Sequence, residues 1–367
     1  MRTKDMIDKV LVLIFSAVLL FWGAFILLKP VNDFSHKENR PLAGLPTFTL
    51  SGIMEGKYFE ELSTFYKDQF PLRDLFTSVC STAQLTIGRI EIGGVIPLAN
   101  NKFVAVPSYN DLNVLEENIK TIENFTKDGN SFLYIPPRAI DIFNDSLPSI
   151  YDRTDIDKPL KLIPYNTLKL FNEFIERSDN SSYYATDHHW TTDGAYLGYT
   201  QLASILGITA YPKDSFDIQT ASNEFYGTSY SSSALPRYKV IPDTVKLYRY
   251  NGDELINIKN NETNTESRGF YDLQAIEQKD KYKVFLGGNY SHLSILNTSP
   301  KEKLLLIKDS FANSLVPFLA LHYDIEMLDP RYCSGELLNS MLYNGDFDKV
   351  LFVLSLDTLI STNIKAP

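Results

Sequence analysis

Short apolar runs alternate with helix-like segments through the last part of this chain of 367 residues. Four of these runs have the length and composition of buried strands: Lys283–Leu286, Lys303–Ile307, Ile325–Leu328 and Lys349–Leu354. Strands of this kind that alternate with helices are typical of a parallel sheet covered by helices on both faces. We therefore predict an α/β fold, with any ligand site beyond the carboxyl ends of the strands.

The segment at residues 211–280 has a different composition. It is rich in Ser, Asn, Thr and Tyr and contains only short β-like pieces. We interpret it as a β-rich insertion into an α/β catalytic domain that covers residues 101–367. Residues 29–100 are predicted to form a linker followed by a helical segment.

The N-terminal segment predicts a membrane anchor. Val10–Leu28 contains nineteen residues without a charge, which at about 1.5 Å per residue nearly cross a hydrocarbon core of about 30 Å. Three basic residues precede this span: Arg2, Lys4 and Lys9. They predict a cytoplasmic tail at residues 1–9, a transmembrane signal anchor at residues 10–28 and an extracytoplasmic catalytic domain. We therefore expect a single-pass protein of the cell membrane. A cleaved signal peptide is the alternative, although residues 29–32 do not resemble a cleavage site.

Charge and cysteine content narrow the function classes. A net charge of −10 argues against nucleic-acid binding, which requires a basic surface. Cys80 and Cys333 are the only cysteines, and they are too isolated for a zinc ribbon. They could pair outside the cytoplasm, but two buried free thiols are the simpler expectation.

The motif Asp187-His188-His189-Trp190 concentrates reactive side chains in a chain with only five His and two Trp. In an extended segment, residues two apart share a side. Asp187 and His189 are therefore expected on one face, with His188 pointing away. A carboxylate beside an imidazole fixes its tautomer and stabilises the imidazolium. The pair is predicted to be the base half of a nucleophilic triad.

Ser310 is the candidate nucleophile. It follows the predicted strand Lys303–Ile307 and precedes Phe311–Leu321, which we predict to be a helix. A Ser at such a turn exposes its hydroxyl at the carboxyl end of the strand, beside backbone N–H groups that favour an oxyanion. The alternative is that Ser310 only caps the helix.

Five more residues are candidates for oxyanion or substrate contacts. Gly288 and Asn289 could supply hydrogen-bond donors, although a plain turn fits equally well. Arg331 and Tyr332 could donate to an acyl or sugar oxygen, or form a structural ion pair and part of the core. Trp190 could flank the imidazole, line a sugar site or pack in the core.

A metal site is a further possibility, because Asp187, His188 and His189 are all potential ligands. Adjacent His side chains of an extended segment point apart, however, and no His-x₃-His or Glu-x-x-His spacing supports them. We expect no metal. The chain also has no Walker A loop and no dinucleotide fingerprint, so we expect no cofactor.

The four-residue motif resembles the signature of the DHHW family, which is related to the alginate O-acetyltransferases of the SGNH-hydrolase-like group. Four other segments are similar to that family: Glu38–Leu42, Asp68–Arg73, Lys308–Phe311 and Asp329–Tyr332. The resemblance implies an SGNH-hydrolase-like fold and a triad of Ser310, His189 and Asp187. The acid–base pair precedes the Ser here, unlike the usual order of SGNH enzymes.

The resemblance also implies a reaction, which is O-acetylation of a secreted or cell-surface polysaccharide. A membrane-bound O-acyltransferase would be the partner that supplies the acyl donor. Two alternatives stay open: a carbohydrate acetyl esterase, in which water replaces the sugar hydroxyl, and a non-catalytic glycan-binding or envelope-assembly protein on the same fold.

Overall fold

The computed structural model describes residues 2–35, 40–107, 109, 111–126 and 129–364. The chain forms two compact units, which are Met1–Ile87 with Ala234–Pro236, and Gly88–Ser233 with Arg237–Pro367. Glu38 and Asn39, which belong to one family-like segment, lie outside the described residues.

The first unit begins with a long apolar helix. Its elements are α1 (Arg2–Leu28), β1 (Phe34–Ser35), β2 (Arg40–Pro41), α2 (Leu50–Met54), α3 (Lys57–Asp68) and α4 (Arg73–Thr86). Within α1, the stretch Met6–Leu28 is long and apolar enough to cross a membrane. This helix is compatible with a single-pass anchor or with a signal sequence.

Two family-like segments of the first unit contact each other. The guanidinium of Arg40 donates to both carboxylate oxygens of Asp68, at 2.9 and 2.5 Å, and Ala43 N donates to the same group at 2.9 Å. The hydrogen bond from Arg40 lowers the pKa of Asp68, although burial opposes it. Arg40 and Asp68 thus have a structural role in joining β2 to the end of α3.

The second unit contains the remaining elements. It begins with β3 (Val95–Pro97), β4 (Phe103–Ala105), α5 (Asn113–Thr126), β5 (Ser131–Tyr134), α6 (Ala139–Ile142), α7 (Thr154–Asp157), α8 (Tyr165–Arg177) and α9 (Thr192–Leu206). It continues with β6 (Asp217–Phe225), α10 (Thr228–Ser233), β7 (Asp243–Arg249), β8 (Asn257–Asn260), β9 (Thr265–Arg268), β10 (His292–Leu296), β11 (Glu302–Lys308), α11 (Val316–Leu319), β12 (Tyr323–Leu328), α12 (Gly335–Asn344), β13 (Lys349–Val353) and α13 (Leu356–Ser361).

A mixed sheet organises the second unit. In the described part of the chain it has seven strands in the order β5-β13-β11-β12-β10-β8-β9. The first four are mutually parallel, whereas β10, β8 and β9 are joined by antiparallel pairings. The α/β class is therefore confirmed, and β11 is flanked by parallel strands on both sides.

Helices cover both faces of the parallel strands, as predicted. Leu304 and Leu306 of β11 pack in one core cluster with α9 and α11. Leu305 and Ile307 pack in another cluster with α5, α12 and α13. Because alternate residues of a strand point to opposite faces, the apolar run of β11 is buried on both sides.

The predicted parallel sheet continues into an antiparallel half, and one of the four predicted strands does not form. Lys283–Leu286 is not a strand, because Lys281–Val284 forms a 3₁₀ helix. The chain then turns at Leu286, Gly287 and Gly288, which all have positive φ, a conformation that ends an extended segment. The strand of this region comes later, as β10, and runs antiparallel to β12.

The predicted insertion is only partly separate from the sheet. Its strands β6 and β7 form a two-stranded sheet of their own, but β8 and β9 extend the central sheet. Its polar composition reflects this position, since all four residues of β9 are exposed. Both cysteines are free thiols, and Cys80 is exposed rather than buried.

Candidate active site

The DHHW motif lies in a series of bends instead of the extended segment that we predicted. Tyr183 and Trp190 form an isolated antiparallel bridge, and Tyr184 N donates to the carbonyl of His189 at 3.2 Å. The chain therefore reverses direction within the motif. This reversal brings the carboxylate of Asp187 within 3.1 Å of the backbone N–H of His189.

The structure brings Asp187, His189 and Ser310 together. Asp187 Oδ1 lies 2.6 Å from His189 Nδ1, and His189 Nε2 lies 2.8 Å from Ser310 Oγ. Asp187 and His189 are both buried. The three side chains form one hydrogen-bonded relay, in which His189 and Ser310 are 121 residues apart in sequence.

Two residues that the sequence analysis missed hold the carboxylate. The backbone N–H and hydroxyl of Thr228 donate to Asp187 Oδ2, at 2.8 and 3.0 Å. Gly227 has no room for a side chain, because a Cβ there would lie 2.3 Å from Asp187 Cβ. Both carboxylate oxygens are thus hydrogen-bonded, and Asp187 has little freedom to move away from His189. No spacing in the sequence marks this contact, since Thr228 is 41 residues away.

Electrostatics favour the base form of the relay. Burial alone would raise the pKa of Asp187, but the imidazoles of His188 and His189 and the surrounding hydrogen bonds keep that pKa well below its usual value. Burial, together with His188, lowers the pKa of His189 to about 4, although Asp187 acts in the opposite direction. At neutral pH the carboxylate is therefore ionised and the imidazole is neutral, which is the state that a general base requires.

Ser310 does not cap its helix. Asp309 is the N-cap of the 3₁₀ helix Ser310–Ser314 and accepts a hydrogen bond from Phe311 N at 3.0 Å. Its second oxygen accepts from Ser355 N at 2.7 Å and from Thr358 Oγ1 at 2.8 Å. The predicted helix Phe311–Leu321 is instead this 3₁₀ turn followed by α11. The hydroxyl of Ser310 is consequently available to His189.

Tyr282 contacts both His189 and the backbone of Ser310. The two rings are stacked at 3.9 Å with an interplanar angle of 7°. The Tyr282 hydroxyl donates to the carbonyl of Ser310 at 3.0 Å and lies 3.1 Å from Ser314 Oγ. Burial raises the pKa of Tyr282, so the hydroxyl stays protonated and remains a donor. No sequence pattern marks Tyr282 beyond its position before an apolar run.

The prediction that His188 points away from the site is wrong. Its ring lies 3.8 Å from the ring of His189, and its Nδ1 lies 2.8 Å from Thr228 Oγ1. The side chain is 40% exposed, whereas His189 is buried. The bends of the motif place the two imidazoles side by side, which an extended backbone would have prevented.

Trp190 lies in the core and not on a sugar-binding surface. The side chain is fully buried and packs against Phe174 and Phe311. Its Nε1 donates to the carbonyl of Phe311 at 2.9 Å and to Ser314 Oγ at 3.0 Å. Trp190 therefore supports the helix that carries Ser310.

Gly288 and Asn289 lie beside the same helix. Asn289 Oδ1 accepts from Lys308 Nζ at 3.2 Å and from Asn313 Nδ2 at 3.0 Å. The carbonyl of Gly288 also accepts from Asn313 Nδ2, at 3.3 Å. Because its oxygen is held by two donors, the amide Nδ2 of Asn289 is left for other partners.

Arg331 and Tyr332 follow β12 at the same edge of the sheet. Arg331 forms a forked pair with Asp329, at 2.9 and 2.7 Å. Asp329 also pairs with the buried Lys308 at 3.2 Å, and burial lowers the pKa of that lysine despite Asp329. The structural ion pair is thus present for Arg331, while Tyr332 is exposed and not part of the core.

Potential metal-ligand atoms of Asp187, His188 and His189 lie within 4.8 Å of one another. However, both carboxylate oxygens of Asp187 and both ring nitrogens of His189 already have hydrogen-bond partners at 2.6–3.1 Å. Metal binding would require these bonds to break. The donor set fits a proton relay better than a metal centre.

Comparison with solved structures identifies similar proteins at low sequence identity, and the first two described here share the fold. A DHHW family protein from Eubacterium siraeum has a TM-score of 0.58 at 20% identity and covers 75% of this chain and 95% of its own. Bacillus cereus PatB1 has a TM-score of 0.58 at 20% identity, with 74% and 99% covered, and is also known with a sulfonyl adduct. The O-acetyltransferase domain of Pseudomonas putida AlgJ aligns less closely, with a TM-score of 0.44 at 12% identity, covering 74% of this chain and 93% of that domain.

Comparison with protein-family profiles identifies the family of this chain. No curated protein sequence matches the chain. The sequence profile of the DHHW protein family matches residues 132–327, which is more than half of the 367 residues and includes the motif at Asp187–Trp190. The chain belongs to the DHHW family.

Proposed function

We propose that this protein is an extracytoplasmic O-acetyltransferase that acts on a secreted or cell-surface polysaccharide. The observation that supports the proposal is the relay from Asp187 through His189 to Ser310, at 2.6 and 2.8 Å. Ser310 lies just beyond the carboxyl end of β11, where α/β sheets place their reactive groups. A nucleophile, a base and a carboxylate that orients the base are the parts required for acyl transfer.

The first half of the reaction transfers the acyl group to the enzyme. Ser310 Oγ attacks the carbonyl carbon of the acyl donor, and its proton passes to His189 Nε2. The bond from the carbonyl carbon to the leaving group then breaks, and the leaving group takes the proton from His189. Asp187 stabilises the imidazolium while it carries that proton.

The second half returns the enzyme to its starting state. A hydroxyl of the acceptor sugar gives its proton to His189 Nε2, and its oxygen attacks the acyl carbon. The bond to Ser310 Oγ breaks, and Ser310 recovers the proton from His189. Water in place of the sugar would give an esterase with the same residues, so only the acceptor separates the two activities.

The oxyanion of each tetrahedral intermediate needs hydrogen-bond donors close to Ser310. The backbone N–H of Ser310 makes no hydrogen bond with a described residue, and it begins a helix, where such groups favour negative charge. Asn289 Nδ2 is a second candidate, since Lys308 and Asn313 hold the other side of that amide. Arg331 and the exposed Tyr332 are candidates for contacts farther along the substrate.

The polysaccharide acceptor is inferred from the resemblance of DHHW proteins to alginate O-acetyltransferases. The apolar helix α1 supports a location at the membrane, with residues beyond about 30 outside the cell membrane. An acetyl group made in the cytoplasm would then have to cross the bilayer. We infer a membrane-bound O-acyltransferase as the partner that delivers it.

Full-length protein in detergent allows the chemistry to be tested directly. We expect release of nitrophenol from 4-nitrophenyl acetate, transfer of acetyl to an oligosaccharide in competition with water, and covalent labelling by phenylmethanesulfonyl fluoride. Intact-mass analysis should show the label in the unmodified sequence and not in Ser310→Ala. Ester cleavage with no transfer to any sugar would favour the esterase. If the protein shows no turnover and no labelling, these results would favour a binding protein.

The topology has a separate test. A protease added to intact protoplasts should digest the region beyond residue 30, because we place it outside the cytoplasm. Permeabilised cells provide the control for protease access. Protection of that region in intact protoplasts, with digestion after permeabilisation, would contradict the proposed location.

A further inference from the structure

A cavity of about 310 Å³ lies on one face of the antiparallel end of the sheet. Ile258 of β8 pairs with Ser267 of β9, and Asn260 of β8 pairs with Leu293 of β10. Directly paired residues project from the same face of a sheet. These four side chains therefore belong to one wall, and all of them line the cavity.

The other wall includes the turn that also contacts the nucleophile helix. Gly287 lines the cavity, while Gly288 and Asn289 are hydrogen-bonded to Asn313 of the 3₁₀ helix that Ser310 begins. Two residues of chain span at most about 7 Å. The cavity is thus separated from the surroundings of the nucleophile by the thickness of one turn.

We propose that this cavity binds a neutral sugar unit of the acceptor glycan, next to the unit that is acetylated. The proposal rests on the transferase function proposed above and adds where the acceptor is held. Cavities of about 300–1,000 Å³ are typical of small-molecule sites, and this one is at the lower limit, which suits a single sugar ring better than a larger group.

The lining has the chemistry that a sugar ring requires. Asp272 supplies a charged acceptor group, and Ser267 adds a hydroxyl that can donate and accept. Tyr290 adds a half-buried aromatic ring, which can pack against the apolar face of a pyranose. Because the carboxylate of Asp272 would repel a second negative charge, an uncharged sugar fits better than an anionic one.

A glycine keeps the cavity open. Gly287 has φ +78°, and a Cβ there would lie 2.9 Å from the hydroxyl oxygen of Tyr290 and 3.8 Å from Asp272 Oδ2. A side chain at this position would therefore crowd two of the groups proposed to contact the sugar.

A larger cavity, of about 760 Å³, is a poorer candidate. It is lined by Ser131 and Gly129 at the start of β5, which is the amino end of a parallel strand. Ser310 follows the carboxyl end of β11. The two lie at opposite edges of the parallel strands, so a sugar in the larger cavity could not extend directly to the nucleophile.

The test fills the cavity without changing the relay. Ser267 lies on the exposed strand β9, so Ser267→Trp should fold and obstruct the cavity. The matched control is Glu266→Trp, because Glu266 is the neighbouring exposed residue and points to the other face of the sheet. We expect Ser267→Trp to lower acetyl transfer to cellohexaose by at least about tenfold through a higher acceptor KM, with release of nitrophenol changed by less than about twofold. Glu266→Trp should leave both rates unchanged. Equal transfer by the two Trp variants would overturn the proposal.

Direct binding separates this proposal from the function on which it rests. Full-length Ser310→Ala, which cannot turn over, is titrated with cellohexaose, chitopentaose and an anionic oligogalacturonate. We expect a neutral oligosaccharide to bind, and to bind at least about tenfold more weakly when Ser267→Trp is added. Binding that survives Ser267→Trp, a preference for the anionic sugar or no binding of any probe would each contradict the sugar site. If the wild-type protein does not cleave the model ester, that result would contradict the transferase function instead, whatever the titration shows.

Discussion

The two halves of the central sheet differ in composition and in burial. The parallel strands β11 and β13 contain continuous apolar runs, and Leu304–Ile307 of β11 are fully buried. The antiparallel strands β8 and β9 come from a polar region, and every residue of β9 is exposed. The parallel half carries Ser310, whereas the antiparallel half carries the cavity to which we assign the acceptor.

This difference indicates that the two halves of the sheet have different functions. A nucleophile needs a rigid support, and strands buried on both faces supply it. A binding surface needs exposed polar groups, and antiparallel strands can offer one solvated face. Five predictions, ordered from the largest expected effect to the smallest, test whether the chemistry and the stability both reside in the parallel half.

The largest effect should follow loss of a relay residue. Single changes of Ser310, His189 or Asp187 to Ala should lower acyl turnover by at least about a thousandfold, since these residues act as a unit. The thermal melt should stay close to that of the unchanged protein for Ser310→Ala, because that change removes only one oxygen atom. Nitrophenol release together with a melt measures both. Full turnover by Ser310→Ala would show that another group is the nucleophile.

Substitutions in the two halves of the sheet should differ by several kcal/mol in their effect on the free energy of unfolding. Leu306→Ala opens space in a core that is buried on both faces, and we expect a loss of about 2–5 kcal/mol in the free energy of unfolding. Glu266→Ala changes an exposed residue of β9, and we expect less than about 0.5 kcal/mol. Denaturant unfolding followed by circular dichroism measures both changes. Similar losses in the two variants would remove the proposed distinction.

Tyr282→Phe should lower turnover by up to about tenfold. The change keeps the ring stacked on His189 but removes the hydrogen bond to the carbonyl of Ser310, which is worth about 1 kcal/mol. Tyr196→Phe is the matched control, because Tyr196 also donates to a backbone carbonyl at 3.0 Å, that of Tyr211, and does not touch the relay. We expect the control to retain its turnover. If both variants lose activity equally, Tyr282 has only a general structural effect.

The acid limit of the pH profile should depend on His188. The pKa of His189 is lowered to about 4, with burial as the main cause and His188 as a second. The value of kcat/KM should therefore be flat through neutral pH and fall as the pH approaches about 4, where His189 gains a proton. His188→Gln removes a neighbour that disfavours this proton, so the fall should move to higher pH. A fall that stays in place, or moves to lower pH, would show that His188 does not influence the base.

The stability of the folded protein should also decrease as the pH is lowered toward about 4. The pKa of His189 is below its usual value of 6.5 in the folded protein. The unfolded chain therefore binds a proton between about pH 6.5 and 4 that the folded protein does not, and the free energy of unfolding falls as the pH is lowered through this window. The low pKa of Asp187 adds stability above its usual value of 3.8, which is lost at still lower pH.

The local sequence determined the parallel half and the identities of the relay residues. Apolar runs of the right length predict buried strands wherever both faces are covered, and β11, β12 and β13 were recognised in this way. Asp187, His189 and Ser310 were recognisable because their residue types and flanking segments already carry the chemistry. The sequence also indicated the apolar helix α1, since length and the absence of charge are sufficient for that inference.

Tertiary structure decided which partners hold these residues in place. Thr228 and Gly227 enclose Asp187, and Tyr282 stacks on His189, through contacts between residues that are distant in sequence. The place of β8 and β9 in the sheet was equally hidden, because an exposed polar strand is held by backbone hydrogen bonds to its neighbour and leaves no apolar pattern. The side-by-side arrangement of His188 and His189 depends on bends that are stabilised by their surroundings. Local sequence specifies chemical groups and buried segments, whereas long-range packing and backbone pairing specify how those groups meet.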